Sequence, residues 1–209
     1  IPSGRRARRK AEVRQRLLTA ARSTIAGSGI DALRISDVTA RADVGFGTFY
    51  SYFENKDALV EAIVAQALES LASMIGQAAQ DESDPAVAAA AAYRRFLRFG
   101  WKEPELASVL VDRYHVEGQF EQAVQPWAMD TLRRGISCGR FDITNIELCL
   151  SSVAASAVAA IRAILSGRLE PGPAVESAGA EMMLRSFGID ADEARSIANL
   201  DLPALAAHT

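Results

Sequence analysis

Apolar side chains recur at intervals of three and four residues along most of the chain, and this spacing limits the fold more than any other feature. Between residues 11 and 26 every fourth residue is apolar, namely Val13, Leu17, Ala21 and Ile25. Such spacing predicts an amphipathic helix with one buried face. No alternating run is long enough to predict a β-strand. The sequence therefore predicts an all-α fold.

Glycine and proline residues divide the rest of the chain into further helical segments. A wide apolar stripe follows Asn55, a plausible N-cap, and continues for about five turns through Leu59, Ile63 and Leu71. Beyond it, the predicted helices span residues 86–99, 103–114, 119–136, 145–165, 174–187 and 192–199. The helix after Asn55 is long enough to extend between two domains. We place these domains at residues 1–56 and 57–209.

Two short helices and a tight turn are predicted in the first domain. Ser36 is a plausible N-cap for the first of them, and Asp43, Val44 and Gly45 form the turn. The second lies in "VGFGTFYSYFENKDAL", where Phe49 and Phe53 are four residues apart and so face the core. Two short helices supported by an earlier helix form a helix-turn-helix, whose second helix enters the major groove of DNA.

The charge distribution agrees with a DNA-binding first domain. The chain carries 23 Lys and Arg against 26 Asp and Glu, but residues 1–56 hold 11 of the basic residues and only 5 of the acidic ones. A basic segment followed by an acidic one indicates a polyanion partner for the first, although a solvated charged face has the same composition.

The short second helix presents several side chains suited to DNA. Thr48, Tyr50, Tyr52 and Lys56 can donate to phosphates, and Phe46 can pack on a thymine methyl group. The alternative is that the aromatic rings fill a helical core. We expect DNA contacts from Ser36, Gly45, Phe46, Gly47, Thr48, Tyr50, Tyr52 and Lys56.

The segment "TARADVGFGTFYSYFENKDAL" resembles the signature of the tetracycline-repressor (TetR) family, and "GTFYSYFENK" is its most specific part. The resemblance covers roughly residues 11–64. Asp43 stands where the family usually has glycine, and aspartate tolerates the left-handed conformation better than most residues. Phe46 stands where the family often has Arg or Lys, so a direct guanine contact from this position is not expected.

The resemblance implies that the basic arm "GRRARRK" lies near the DNA backbone or in a minor groove. Its expected contacts come from Arg5, Arg6, Arg8 and Arg9, and the alternative is a disordered solubilising tail. It also implies that the second domain is a C-terminal helical domain that binds a ligand and dimerises. A two-fold dimer would present two reading helices about 34–36 Å apart to a palindromic site.

Two segments of the second domain are candidates for the dimer interface, "LCLSSVAASAVAAIRAIL" and "AVESAGAEMMLRSFG". The first is rich in small residues, which allow close approach of a partner helix. An intramolecular core is the alternative. The expected interface residues are Val153, Ala157, Ile161, Ile164, Val175, Ala178, Met182 and Met183.

Aromatic and polar residues of the middle helices have the composition of a ligand pocket. Ordinary core packing is the alternative for each of them. The expected lining is Tyr93, Phe96, Phe99, Trp101, Tyr114, His115, Phe120 and Trp127. Arg94, Arg95 and Arg98 either face an anionic end of the ligand or form a solvated basic face.

Catalytic and cofactor motifs do not occur in the sequence, so we expect no enzyme, metal or cofactor. We expect Cys138 and Cys149 to be buried free thiols rather than a redox pair. Arg162 interrupts the most apolar stretch, so we expect no membrane span and a cytoplasmic protein.

These features predict a transcriptional regulator, most simply a homodimeric repressor that leaves its palindromic operator when a small, largely apolar effector binds. The alternative is a dimeric DNA-binding protein without small-molecule sensing, which is controlled by a protein partner or by its own abundance.

Overall fold

A computed structural model describes residues 3–80, 82–112 and 124–202, and these residues form helices and turns without a β-strand. The helices are α1 (Ser3–Ser28), α2 (Ile35–Arg41), α3 (Phe46–Phe49), α4 (Lys56–Gln80), α5 (Pro85–Lys102), α6 (Pro104–Asp112), α7 (Gln125–Ser137), α8 (Ile146–Leu165), α9 (Pro173–Ser186) and α10 (Ala191–Ala198). The all-α prediction is confirmed.

Two compact units divide the described residues. The first contains residues 3–67 and 104–112, and the second contains residues 68–80, 82–103 and 124–202. The boundary lies inside α4, and α6 belongs with the first unit.

The start of α1 differs from the sequence-based prediction. The basic segment before Ala11 was expected to precede the helix, but α1 begins at Ser3 and includes it. Arginine, lysine and alanine are good helix formers, so this segment extends the amphipathic helix although it has no apolar stripe of its own.

The core of the first unit joins α1 to the short helices. Leu17 and Leu18 of α1 are buried with Val38 of α2 and with Phe49, the last residue of α3. Phe53 is buried as well, so the prediction that Phe49 and Phe53 face the core is confirmed. The amide of Ala58 donates to Oδ1 of Asn55 at 2.8 Å, which confirms Asn55 as the cap of α4.

The second unit is built around α5, which packs against α7, α8, α9 and α10. Glycine allows the closest approaches. A Cβ atom at Gly179 would lie 2.7 Å from Cε1 of Tyr93, and one at Gly100 would lie 2.8 Å from Cγ1 of Ile161. Any larger residue at these positions would push α9 or α8 away from α5.

Two helical segments, Lys56–Gly76 and Ile146–Leu165, are long and apolar enough to cross a membrane. The expectation that Arg162 leaves no apolar stretch of sufficient length was wrong, because the Ile146–Leu165 segment has a mean hydropathy of 2.0 although it contains Arg162. Core helices of water-soluble proteins have the same length and composition, so this is only a weak indication of a membrane. Only 28% of the α8 segment is buried, so most of this helix is exposed or half-buried in the chain described here.

Candidate nucleic-acid interface and ligand cavity

The turn between α2 and α3 is a Schellman motif. The amide of Asp43 donates to the carbonyl of Ala40 at 3.2 Å, and the amide of Val44 donates to the carbonyl of Thr39 at 3.0 Å. Asp43 adopts the left-handed conformation with φ +51°, as the sequence predicted. A residue with a Cβ atom in this conformation costs about 1 kcal/mol relative to glycine.

The start of α2 differs from the prediction. Arg34 is the N-cap and gives no side-chain cap, whereas Ser36 lies inside the helix and its hydroxyl donates to Oδ1 of Asp37 at 3.1 Å. Ser36 is therefore not the cap, because the helix begins one residue before it. Its side chain is exposed and available to solvent or DNA.

The aromatic residues of α3 and the following turn divide between two faces. Phe49 is fully buried, whereas 54% of Phe46 and 52% of Tyr50 are exposed. Phe46 and Tyr50 stack edge to face with their ring centroids 5.7 Å apart. Two large rings thus lie side by side on the surface of the first unit.

The other predicted DNA contacts lie on the first unit with varied exposure. Gly45 and Gly47 are exposed, Thr48 and Tyr52 are half-buried, and Nζ of Lys56 donates to the carbonyl of Ile30 at 3.4 Å. Arg6, Arg8 and Arg9 are exposed on α1, and the side chain of Arg5 lies outside the described residues.

The second unit contains a partly open apolar cavity of about 90 Å³. Tyr93, Phe96 and Trp127, three of the residues expected in the pocket, line it. Phe99 is buried but is not part of the lining, and Trp101 contacts Glu176 instead. Tyr114, His115 and Phe120 lie outside the described residues.

Most of the lining consists of aliphatic residues and other side chains that the pocket prediction did not name. These are Ile75, Ala89, Ala92, Val124, Ala128, Thr131, Leu132, Leu150, Val153, Ala154, Ala157, Met183 and Phe187. Their helical periodicity marks them as inward-facing, but an aliphatic residue that borders a cavity has the same sequence pattern as one that fills a core.

The polar groups near the cavity bond to one another. The Tyr93 hydroxyl lies 3.2 Å from the Ser156 hydroxyl, which donates to the carbonyl of Val153 at 2.8 Å. The Thr131 hydroxyl donates to the carbonyl of Trp127 at 3.1 Å. Burial raises the pKa of Tyr93, so its hydroxyl stays neutral at physiological pH.

The three arginines of α5 form neither an anion site nor a solvated face. Arg98 forms a bidentate ion pair with the fully buried carboxylate of Glu176, donating from Nε at 3.0 Å and from Nη2 at 2.6 Å. Nε1 of Trp101 donates to the same carboxylate at 3.1 Å. Arg94 and Arg95 are buried and donate to backbone carbonyls, of Leu200 and Met74 respectively. The arginines therefore hold helices together.

The predicted interface residues fall into two groups. Ala157, Ile161, Ile164 and Met183 are buried inside the unit, whereas 72% of Met182 is exposed. Ala178 is exposed, and Val153 and Val175 are half-buried. Leu148 of α8, which is 65% exposed, was not among the expected interface residues. Its position on the stripe Leu148, Ser152, Ala155, Ala159 could have revealed it.

The cysteines are free, and no group of three or more potential metal ligands occurs among residues 3–80, 82–112 and 124–202. Cys138 is exposed, so the prediction that it is buried was wrong. It follows the last residue of α7, where the chain turns at the surface. Cys149 is half-buried, and burial raises the pKa of its thiol.

Comparison with known proteins identifies the chain. Residues 17–63 match the family model described as "Bacterial regulatory proteins, tetR family", and residues 84–200 match "Tetracyclin repressor-like, C-terminal domain". The chain belongs to the TetR family. It is therefore a transcriptional regulator with a helix-turn-helix DNA-binding region, in a family of regulators rather than enzymes.

Solved structures of TetR-family proteins share this architecture. RolR in complex with resorcinol is 30% identical, with a TM-score of 0.73, over 96% of this chain and 100% of RolR. RolR without ligand gives a TM-score of 0.72 at 30% identity, over 92% of this chain and 100% of RolR. The fatty acid degradation regulator FadR from Bacillus halodurans has a TM-score of 0.73 at 15% identity, over 82% and 94% of the two chains, and supports the fold alone.

A curated relative matches only part of this TetR-family chain. The uncharacterised HTH-type transcriptional regulator YvdT of Bacillus subtilis (strain 168) is 41% identical over 54 residues. The match spans 26% of this chain and 28% of YvdT.

A half-buried ion pair lies at the start of α5, the helix that carries Tyr93 and Phe96. Asp84 caps α5 by accepting from the amide of Ala86 at 2.8 Å, and it pairs with Arg140 at 3.1 and 3.0 Å. Burial acts to raise the pKa of Asp84, but the hydrogen bonds from Arg140 and Ala86 outweigh it and hold the pKa below its usual value.

This shift predicts a pH-dependent stability. Because the pKa of Asp84 is lower in the folded state, its contribution is present above about pH 4 and is lost as the pH falls through the folded value. Asp84→Asn should lower the free energy of unfolding at pH 7 by about 1 kcal/mol, allowing for solvent screening. It should also make the loss of stability below about pH 4 less steep.

Urea unfolding at several pH values measures both effects, with Asp130→Asn on the exposed face of α7 as the control. If the free energy of unfolding depends on pH identically in Asp84→Asn and the unaltered chain, the lowered pKa of Asp84 does not contribute to stability as proposed.

Proposed function

We propose that this TetR-family regulator is a cytoplasmic repressor that binds a palindromic operator as a homodimer and is released by a compact, largely apolar effector. The observation that carries the proposal is the presence of both parts in one chain. The first unit exposes Phe46 and Tyr50 on a short reading helix, and the second unit contains a partly open apolar cavity.

The reading helix combines two kinds of contact. The ring of Phe46 packs on a thymine methyl group and contributes to sequence choice, whereas the hydroxyl of Tyr50 donates to a phosphate and contributes to position. Arg6, Arg8 and Arg9 follow phosphates from the helical start of α1. A helix is too wide for the minor groove, so these arginines contact the backbone there.

Phe46→Ala and Tyr50→Phe should therefore weaken DNA binding differently. Phe46→Ala should lower affinity for a duplex selected by the unaltered chain by about tenfold and leave binding to a scrambled duplex nearly unchanged. Tyr50→Phe should weaken both to a similar degree, because a phosphate contact carries no base information. Fluorescence anisotropy on both duplexes measures this, and equal losses for Phe46→Ala on both would contradict base reading.

The dimer is proposed to form through the outer faces of α8 and α9. Leu148 and Met182 are large apolar residues exposed on these two helices, and the small residues Ala155, Ala159 and Ala178 are exposed beside them on the same helices. A second copy of the chain would cover this surface and supply the second reading helix.

Met182→Arg should shift the chain from the mass of a dimer to that of a monomer, because it places a charge in the apolar interface. Size-exclusion chromatography with light scattering at low micromolar concentration measures the mass. Ile136→Arg, on the exposed side of α7, is the control and should leave the dimer intact. A Met182→Arg variant that keeps the dimer mass would place the interface elsewhere.

The effector is proposed to occupy the cavity lined by Tyr93, Phe96 and Trp127. In another protein, an engineered apolar cavity of about 150 Å³ holds benzene, so a cavity of about 90 Å³ suits one small ring with slight adjustment rather than a long acyl chain. RolR, which is 30% identical, has been solved in complex with resorcinol, a single aromatic ring. The cavity also favours the sensing regulator over a dimer without a small-molecule switch.

Release from DNA requires a difference in effector affinity between the free and the DNA-bound states. α4 contributes Leu59 and Ile63 to the core of the first unit and Ile75 to the cavity, so a shift of this helix is the proposed link. The coupling is reciprocal, and the operator must weaken effector binding by the same factor.

Ala154→Leu should fill the cavity and remove the thermal stabilisation produced by a panel of single-ring compounds that includes resorcinol and toluene. Ligand present at about 100 times its Kd stabilises the folded state by about 2.7 kcal/mol, so the loss is measurable by thermal shift. Ala26→Leu on the exposed face of α1 is the control. If no compound stabilises the unaltered chain, the sensing part of the proposal fails and the DNA-binding part stands.

A further inference from the structure

We propose that Arg16 is a positioning residue for the reading helix: it holds the turn between α2 and α3 and does not contact DNA itself. Its Nη2 atom donates to the carbonyl oxygen of Ala42 and, at 2.8 Å, to that of Asp43. The same atom lies 3.3 Å from Oδ2 of Asp43. One side chain from α1 thus contacts two consecutive peptide units of the turn.

The two carbonyl contacts are the important part of this arrangement. The ion pair with Asp43 is exposed on both sides, and such pairs contribute little to stability. The carbonyl oxygens of Ala42 and Asp43, in contrast, belong to the peptide units on either side of the left-handed residue. Fixing both units fixes the direction in which the chain leaves α2.

The turn needs such support because it lacks glycine. A Schellman motif requires a left-handed residue at the position of Asp43, and glycine adopts that conformation most easily. With an aspartate there, contacts from elsewhere must favour the conformation, and Arg16 supplies them. α3 begins at Phe46, only three residues after Asp43, so a change in the turn reorients Phe46 and Tyr50.

A separate contact holds the C-terminal end of α2. Nη1 of Arg41 donates to Oγ of Ser23 at 2.8 Å, which joins α2 to α1 without involving the turn. Loss of Arg16 should therefore leave α2 in place and loosen the turn and α3.

Arg16→Ala should lower affinity for the selected duplex by about tenfold while changing affinity for a scrambled duplex less than about twofold. The dependence of log affinity on log salt should keep its slope, because no phosphate contact is lost. The affinity of Arg16→Lys for the selected duplex should lie between those of Arg16→Ala and the unaltered chain, since lysine keeps the charge and places a single donor group near the carbonyls. Anisotropy titrations at several salt concentrations give both quantities.

Asp43→Gly supplies a rescue experiment. If Arg16 acts by favouring the left-handed turn, adding Asp43→Gly to Arg16→Ala should partly restore selectivity. The ratio of affinity for the selected duplex to affinity for the scrambled duplex should rise at least about threefold above its value in Arg16→Ala alone. Asp43→Ala is the matched control: it removes the same charge but keeps a Cβ atom that disfavours the left-handed conformation, so it should not recover the ratio. The ratio of the two affinities cancels the general effect of removing a negative charge near DNA.

Hydrogen exchange tests the same idea without DNA. The amide of Val44, which donates to Thr39, should exchange about tenfold faster in Arg16→Ala, whereas the amide of Ala42, which donates to Val38 within α2, should not. This measurement decides the question even if no duplex is selected, an outcome that would count against the proposed operator binding.

Three results would overturn the assignment. Equal loss of affinity on both duplexes, with a salt slope smaller by about 0.9, would make Arg16 a phosphate contact. Unchanged exchange at Val44 in Arg16→Ala would show that the turn does not need it. Equal recovery by Asp43→Gly and Asp43→Ala would show that the left-handed conformation is not what Arg16 supports.

Discussion

A helix that is buried around most of its circumference must find partners for its own charges, and in the second unit this constraint falls on α5. Three arginines lie on this helix within residues 94–98. Two of them are buried against backbone carbonyls, and the third binds Glu176, which has no exposed surface. Removing one side of such a pair would leave an uncompensated charge in the interior. The positions of α9 relative to α5, and of the cavity wall that both helices form, depend on this pairing.

The cavity follows from the same arrangement. Glycines at positions 100 and 179 let α8 and α9 approach α5 closely at two places, and the large side chains of Tyr93, Phe96 and Phe187 line the cavity. The Tyr93 hydroxyl is bonded to Ser156 on α8, so this ring is held at the cavity wall. A cavity formed by fixed rings is suited to discrimination by size and shape.

The first unit meets a different constraint, because its two short helices are too short to be stable alone. α2 has seven residues and α3 has four. Phe49 and Val38, buried against α1, supply the apolar anchor, and the turn at Asp43 sets the angle between the helices. Once Phe49 is buried, Phe46 and Tyr50 remain on the outside of the same short helix. The aromatic cluster in "GFGTFYSYF" thus serves the core and the exposed surface at once.

Helical periodicity, caps and breaks are local properties, so the chain alone specified α5, α8, α9 and α10 to within a few residues, the cap at Asn55, the left-handed turn at Asp43 and the burial of Phe49 and Phe53. The TetR signature is equally local. The start of α1 was missed because "GRRARRK" has high helix propensity but no apolar stripe. The cap of α2 was missed because serine is a stronger N-cap residue than arginine, so Ser36 was favoured over Arg34. Whether an apolar helix face borders a cavity, fills the core or is exposed is not a local property. Val153 and Met183 border the cavity, Ile161 fills the core and Met182 faces outward, although all four lie on apolar helices of similar composition. The distances between helices that separate these outcomes arise only when Glu176, the glycines of α5 and α9 and the surrounding rings are brought together.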